Sequence, residues 1–245
     1  MDPLLYNAMN GALHNMDRQS LIGNNLANSN TPGFKADMAQ ASSMYFNKEN
    51  LNGGALVVAD VNASDFTPGP LLTTGRDLDV AVQGEGWFAV QDGSGKEAYT
   101  RAGSFQINEN GMLITSNGRP VLGDGGPISI PPAQKIEIGS DGTISIVPLD
   151  GNPDELAVLD RLKLVRVKNN ELIKGGDGLM RLQKGGVAPA DADIMITPGA
   201  LEGSNINAVN EMVHMIEVGR EFDAEMQIIQ TVNENSQKLA QILQL

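Results

Sequence analysis

Few residues in this chain have the type and spacing to do chemistry. His14 and His214 are its only imidazoles. Each falls in a stretch of helical period, and neither has partners at a recognised metal-ligand spacing, so a surface or interfacial role accounts for both better than catalysis or metal binding. Gly84-Glu85-Gly86 and Gly123-Asp124-Gly125-Gly126 are glycine-rich, but each lies between strand-like runs. A phosphate cradle needs a helix opening directly after its glycines, so both read as hairpin turns. Asp77 and Asp79 flank Leu78 and form a possible carboxylate pair. Strand alternation turns both outward as a solvated face. Asp92 and Lys96 read as exposed charges. No Gly-x-Ser-x-Gly elbow is present. Trp87 sits in the apolar run Trp87-Phe88-Ala89-Val90 and reads as core. The residues point away from an enzyme, and no catalytic, metal or cofactor-binding residue is expected.

Composition narrows the classes further. Seventeen basic against thirty acidic residues among 245 give a net charge of −13. Such a chain repels nucleic acid and anionic membranes, so no nucleic-acid partner is expected; nor is a small-molecule substrate. There is no cysteine, which removes disulfides and thiolate chemistry. The first residues lack a basic flank and a continuous apolar run, so no cleavable signal peptide is expected, and no stretch is long enough to span a bilayer.

Periodicity divides the chain into four parts. Residues 1–33 read as a helix. Asp2 and Pro3 suit its start, and Leu5, Met9, Ala12, Met16, Gln19, Gly23 and Leu26 recur at alternating spacings of four and three, the seam of a helix packed along another. The Asn-rich exit ends at Pro32 and Gly33, which cannot continue a helix. Residues 34–70 read as an extended connector: 36–46 extends the helix or forms a short second one, 47–54 is a turn-rich break, and Leu56-Val57-Val58 is a short strand. From 71 to 202 the period is two, with about a dozen short strands. Asn110-Gly111, Asn117-Gly118 and Asp141-Gly142 stand at tight turns between them. This describes an antiparallel, barrel- or sandwich-like β domain. Residues 203–245 return to helical period. Ser204, Asn205 and Asn207 offer caps, and Val209, Met212, Val213, Ile216, Phe222, Met226, Ile229, Val232, Leu239 and Ile242 form an apolar stripe. A lone amphipathic helix of that length needs a partner face. The fold class is therefore α+β: N- and C-terminal helices paired as a coiled coil, with an all-β domain inserted between them. An assembly subunit fits this pattern better than a secreted β-rich binding module with helical oligomerisation ends, because the stripes need more apolar surface than one helix pair supplies.

The wording of three stretches is more specific than their period. Gly23-Asn24-Asn25-Leu26-Ala27-Asn28-Ser29-Asn30-Thr31-Pro32-Gly33-Phe34-Lys35 resembles the signature of the flagellar axial family of rod and hook proteins, with Gly23 where Ala is usual. The run from Gly75 to Phe88, together with Tyr99-Thr100-Arg101-Ala102-Gly103-Ser104-Phe105, is similar to that family's central block. Gly203-Ser204-Asn205-Ile206-Asn207 with Glu211-Met212-Val213-His214-Met215-Ile216 is similar to its C-terminal motif. The resemblance carries Asn24, Asn25, Leu26, Ala27, Asn28, Thr31, Gly33 and Phe34 over as family motif positions. It implies a structural subunit of the basal-body rod, in its proximal part, with the distal part as the alternative. It implies export through the flagellar type III apparatus and helical stacking with copies of itself and other rod subunits. The stacked subunits form a torque-bearing shaft that crosses the periplasm within the basal-body rings, with an inner layer of terminal helices and an outer β layer. The residues expected at the assembly interface are Leu5, Met9, Ala12, Met16, Leu26, Val209, Met212, Ile216, Phe222, Met226 and Ile229.

Overall fold

A computed structural model describes residues 3–45, 55–149 and 156–242. The chain is α+β and divides into two compact units, one of Met1–Ser29, Asp37–Asp65 and Ile206–Leu245, the other of Asn30–Ala36 and Phe66–Asn205. The expected Asp2 cap and the turn over 47–54 lie outside the described residues.

The first unit holds the two terminal helices, in contact with each other, and one hairpin. Helix α1 (Pro3–Ala27) stops within the Asn-rich stretch, just before Asn28. The Asn28 side chain donates to the Asn24 carbonyl at 2.9 Å, and the Ser29 hydroxyl donates to the Leu26 carbonyl at 2.8 Å. These polar side chains satisfy carbonyls that a further turn would have used. Strands β1 (Asp37–Tyr45) and β2 (Ala55–Ser64) then pair antiparallel from Asp37↔Ser64 to Tyr45↔Ala55, with a register shift between Met38 and Gln40. The helical reading of 36–46 is overturned over Asp37–Tyr45, and residue 46 lies outside the described residues. Val57 and Val58 lie opposite Ser43 and Ser42, and a β-branched partner supplies the pairing that local propensity does not show. Helix α2 (Ala208–Ile242) begins under Asn207, whose carboxamide oxygen accepts from the N–H groups of Val209 (3.0 Å) and Asn210 (3.2 Å). Of the three caps the sequence offered, the third is used.

The second unit is built from short antiparallel strands. β3 (Leu71–Thr73), β4 (Val80–Val82), β5 (Trp87–Gln91) and β6 (Glu97–Thr100) come first. Next are β7 (Phe105–Ile107), β8 (Leu113–Thr115), β9 (Leu122–Gly123), β10 (Gly126–Pro127), β11 (Ala133–Ile138), β12 (Thr143–Pro148) and β13 (Ala157–Arg161). β14 (Leu164–Val165), β15 (Leu172–Lys174), β16 (Met180–Leu182), β17 (Ile196–Pro198) and β18 (Ala200–Glu202) complete it. The largest sheet has the order β14-β5-β6-β16-β15, and the last two strands return to the first two, β17 on β4 and β18 on β3. Strand alternation on β5 feeds two clusters. Phe88 and Val90 join Val80, Phe105, Leu113, Ile144 and Ile196 on one face, while Trp87 and Ala89 join Tyr99, Val165 and Met180 on the other. Trp87 is core, as read. Gly111, Gly118 and Gly142 take φ of +77°, +75° and +86°, the conformation the Asn-Gly and Asp-Gly turns require. Asp79 is not on a solvated face: it is buried and accepts the Thr74 hydroxyl at 2.7 Å, because the strand starts only at Val80 and Asp79 precedes it.

Candidate assembly interface

The two helices run antiparallel. Glu225 of α2 lies against Gly11 of α1, where a Cβ would overlap the carboxylate, and it accepts from the Asn15 side chain at 3.3 Å. Arg18 donates to Glu221 at 2.8 Å. One turn further along α1 and just under one turn back along α2 lie Ile22 and Val218, both buried. The inner seam of α1 is therefore Ala8, Ala12, Asn15, Ile22 and Asn25, all buried and mostly small or polar. Glycine and alanine let the helices approach closely, and a buried asparagine restricts their register.

The large apolar residues lie elsewhere. Tyr6, Met9, Leu13 and Met16, at spacings of three, four and three, are 49–58 % exposed. On α2, Val209, Met212, Val213 and Ile216 are exposed by similar or greater fractions, and Met226 is exposed as well. Leu5, Leu26, Phe222 and Ile229 are half-buried. Of the eleven expected interface residues, Ala12 alone is fully buried in the single chain. The periodic stripe read on α1 merges two faces one residue apart. Its Ala12 belongs to the contact with α2, and its methionines belong to an outer seam.

The family-motif positions divide between helix exit and β unit. Asn24 receives the Asn28 side chain on both its carbonyl and its carboxamide oxygen, each at 2.9 Å. Asn25 is buried and grips the first residue of β1 twice: its Nδ2 donates to the Asp37 carbonyl and its Oδ1 accepts the Asp37 N–H, both at 2.9 Å. Ala27 is exposed. Thr31 closes a turn by accepting the Phe34 N–H at 3.3 Å. Gly33, at φ +70°, donates its N–H to the Glu202 carbonyl at 2.8 Å, and a Cβ there would overlap the backbone of Arg101 and Ala102. Phe34 lies under the Lys174 ammonium, 3.9 Å from its ring centroid.

These contacts lead to a buried ionic junction that motif wording does not single out. Lys35 meets Glu202 at 2.6 Å and Arg101 meets the same carboxylate at 3.1 Å, all three side chains being nearly inaccessible. Burial lowers the pKa of Arg101, while Glu202 and then Glu85 pull it back up. The Arg101 guanidinium also donates to the Gly84 carbonyl at 2.8 Å and stands 5.2 Å from the Trp87 ring centroid. Lys35 and Arg101 each end or sit inside a quoted motif, so the signal was present. Their shared carboxylate is far away in sequence.

Asp92 is a second correction. It is buried and accepts from the Ser94 hydroxyl (2.7 Å), Arg181 (3.0 Å) and the N–H groups of Lys96 (2.9 Å) and Ser94 (2.8 Å). These bonds, that to the Ser94 hydroxyl foremost, hold its carboxyl well below the ordinary 3.8. A depressed folded pKa means stability that is present above the unfolded value and lost as pH falls through the folded one. The β unit is expected to lose stability below about pH 4, and Asp92→Asn to flatten that dependence. Thermal unfolding between about pH 2 and 6 reads it, and an unchanged slope in the variant would assign the acid sensitivity elsewhere.

His14 and His214 stay apart: His214 faces Glu217 at 3.3 Å on its own helix. Among the described residues no group of three His, Cys, Asp or Glu side chains is placed to hold a metal ion, and no described helix is long and apolar enough to cross a membrane.

Two antiparallel helices with an exposed apolar seam, joined in one chain to a β unit by a motif that runs from the end of the first helix into that unit, are what the axial rod and hook class combines. Three family profiles agree: "Flagella basal body rod protein" over residues 5–35, "Flagellar hook protein FlgE/F/G D1 domain" over 81–146 and "Flagellar basal body rod FlgEFG protein C-terminal" over 197–242. The chain is 40% identical to the flagellar basal-body rod protein FlgF of Salmonella typhimurium and 39% to that of Escherichia coli, in each case over the whole of both chains. It is 32% identical to the flagellar basal-body rod protein FlgG of Bacillus subtilis, covering 97% of this chain and 98% of the relative. The chain belongs to the flagellar basal-body rod protein family.

Proposed function

We propose that the chain is a structural subunit of the bacterial flagellar rod, in its proximal part, and that it works by packing rather than by catalysis. The observation that carries this reading is the outer seam of Tyr6, Met9, Leu13 and Met16 with the exposed Val209, Met212 and Ile216. Apolar residues at heptad spacing on two already paired helices fit further helices from neighbouring copies. Head-to-tail contacts that do not close into a ring build a helical shaft. The helices then continue as a coiled coil between subunits, with the β unit as a barrel- or sandwich-like outer domain. The higher identity to the FlgF relatives supports the proximal over the distal position. Export through the flagellar type III apparatus, passage of the shaft across the periplasm and contact with the basal-body rings belong to the same reading.

The competing class is a secreted binding module whose helices only oligomerise it. Deleting residues 207–245 separates the two. A rod subunit then loses rod assembly and motility, whereas a binding module keeps its ligand affinity. Motile cells carrying only the truncated chain would overturn the rod reading.

A further inference from the structure

We propose, resting on the rod reading, that the two exposed seams bind each other between copies: Tyr6, Met9, Leu13 and Met16 of one chain lie antiparallel along Val209, Met212, Ile216 and Gly219 of the next, with the Tyr6 ring over Gly219. The seams match in length and period. Each runs at spacings of three, four and three, and their seven large side chains are 49–68 % exposed. Laid antiparallel, they set Tyr6 against Gly219, Met9 against Ile216, Leu13 against Met212 and Met16 against Val209. The bulkiest side chain then meets the residue that has none. A glycine inside a helix weakens it. At Gly219 nothing lies within 4 Å of an added Cβ, so the single chain does not use the space.

Charge selects the unlike pairing. No Asp, Glu, Lys or Arg stands between residues 3 and 16, whereas α2 carries six acidic and two basic residues. Two α2 seams brought together would set their surplus carboxylates against each other. Two α1 seams would cover α1 and leave α2 exposed. The unlike pair covers both seams without that repulsion. Register decides what the contact builds. Within one chain Arg18 reaches Glu221, close to the level of Gly219; between copies Tyr6 takes that level. The neighbour's α1 is therefore slid along the axis by roughly 20 Å at about 1.5 Å per residue, with its polarity kept. A contact slid this far is not returned, so the neighbour's own α2 seam stays open for a third copy.

The chain has no cysteine, so introduced thiols report the contact in isolated basal bodies. Cells making one full-length chain with Met9→Cys and another with Ile216→Cys should give, on mild oxidation, a covalent dimer holding one of each. Gly219→Met fills the space that Tyr6 occupies. The purified variant should melt no lower than the parent, since Met favours a helix. Its incorporation into rods should nevertheless fall about tenfold, the usual consequence of overpacking a close contact. Tyr6→Ala in the same chain should recover most of that loss. Absence of the mixed dimer, or Ile216→Cys chains that link to each other instead, overturns the pairing and leaves the rod reading in place. Normal incorporation of Gly219→Met overturns it too, as does a defect that Tyr6→Ala does not relieve. The rod reading itself falls on a different result, motile cells whose only copy lacks residues 207–245.

Discussion

Cells whose only copy of this chain carries Ile216→Asp are expected to make the protein, fold it and fail to swim. The side chain is 57% exposed in the single chain, so the substitution leaves the isolated subunit nearly as stable as before, within about 0.5 kcal/mol. In the proposed shaft the same position is covered by a neighbour. Burying such a side chain contributes about 1.5–3 kcal/mol, and a carboxylate there without a partner costs several kcal/mol instead. Because each subunit repeats the contact, the loss recurs along the whole assembly. Leu13→Asp on the outer seam of α1 is expected to behave alike. Ala12→Asp is not: that position is buried against α2, so the monomer itself is destabilised. Gln227→Asp, on an exposed polar position, is the mild control. Thermal unfolding of the purified variants, a motility assay and electron microscopy of isolated basal bodies make the comparison. Normal rods built from Ile216→Asp protein would show that the exposed stripe is not the assembly surface.

Gly103→Ala is expected to have the largest effect on the β unit itself. The Val80 N–H donates to the Gly103 carbonyl at 3.0 Å, which draws the two backbones together until a Cβ at Gly103 overlaps the Val80 carbonyl oxygen and comes within 3.2 Å of the Phe88 ring. Neither neighbour can yield. Val80 is held in the β4–β17 ladder through Pro198, and Phe88 is fully buried edge-on to Phe105, with centroids 5.3 Å apart. Overpacking against fixed backbone costs about 3 kcal/mol or more, a fall of roughly 6–12 °C in Tm for a chain of this size. Gly219→Ala makes the contrast. It lies within α2 with nothing within 4 Å of an added Cβ, so the same substitution is expected to stabilise the helix by up to about 1 kcal/mol. A Gly103→Ala unit that melts with the parent chain would show that the close approach at Val80 relaxes at no cost.

The sequence alone determined the parts of this protein that repeat a local rule. Strand period, Asn-Gly turns, the Asn207 cap and the proline-free run of α2 are each written in neighbouring residues, and the structure reproduces them. The motif wording carried the family in the same local way. What tertiary structure decided is every choice between two partners. Residues 37–45 became a strand because β2, with Val57 and Val58, lies across from them. The stripe on α1 separated into an inner and an outer face because helix period alone does not say which of two adjacent seams meets α2. A close contact at Gly11 and Asn15 chose the small residues and left the methionines outside. Asp79 and Asp92 turned inward onto donors of their own turns, the hydroxyls of Thr74 and Ser94 and the N–H groups of Ser94 and Lys96, but only the fold brought the Arg181 guanidinium to Asp92. Lys35 and Arg101 were visible as motif letters, yet only the return of β18 to β3 brought Glu202 between them. A buried ion pair depends on distance in space, and the sequence records only distance along the chain.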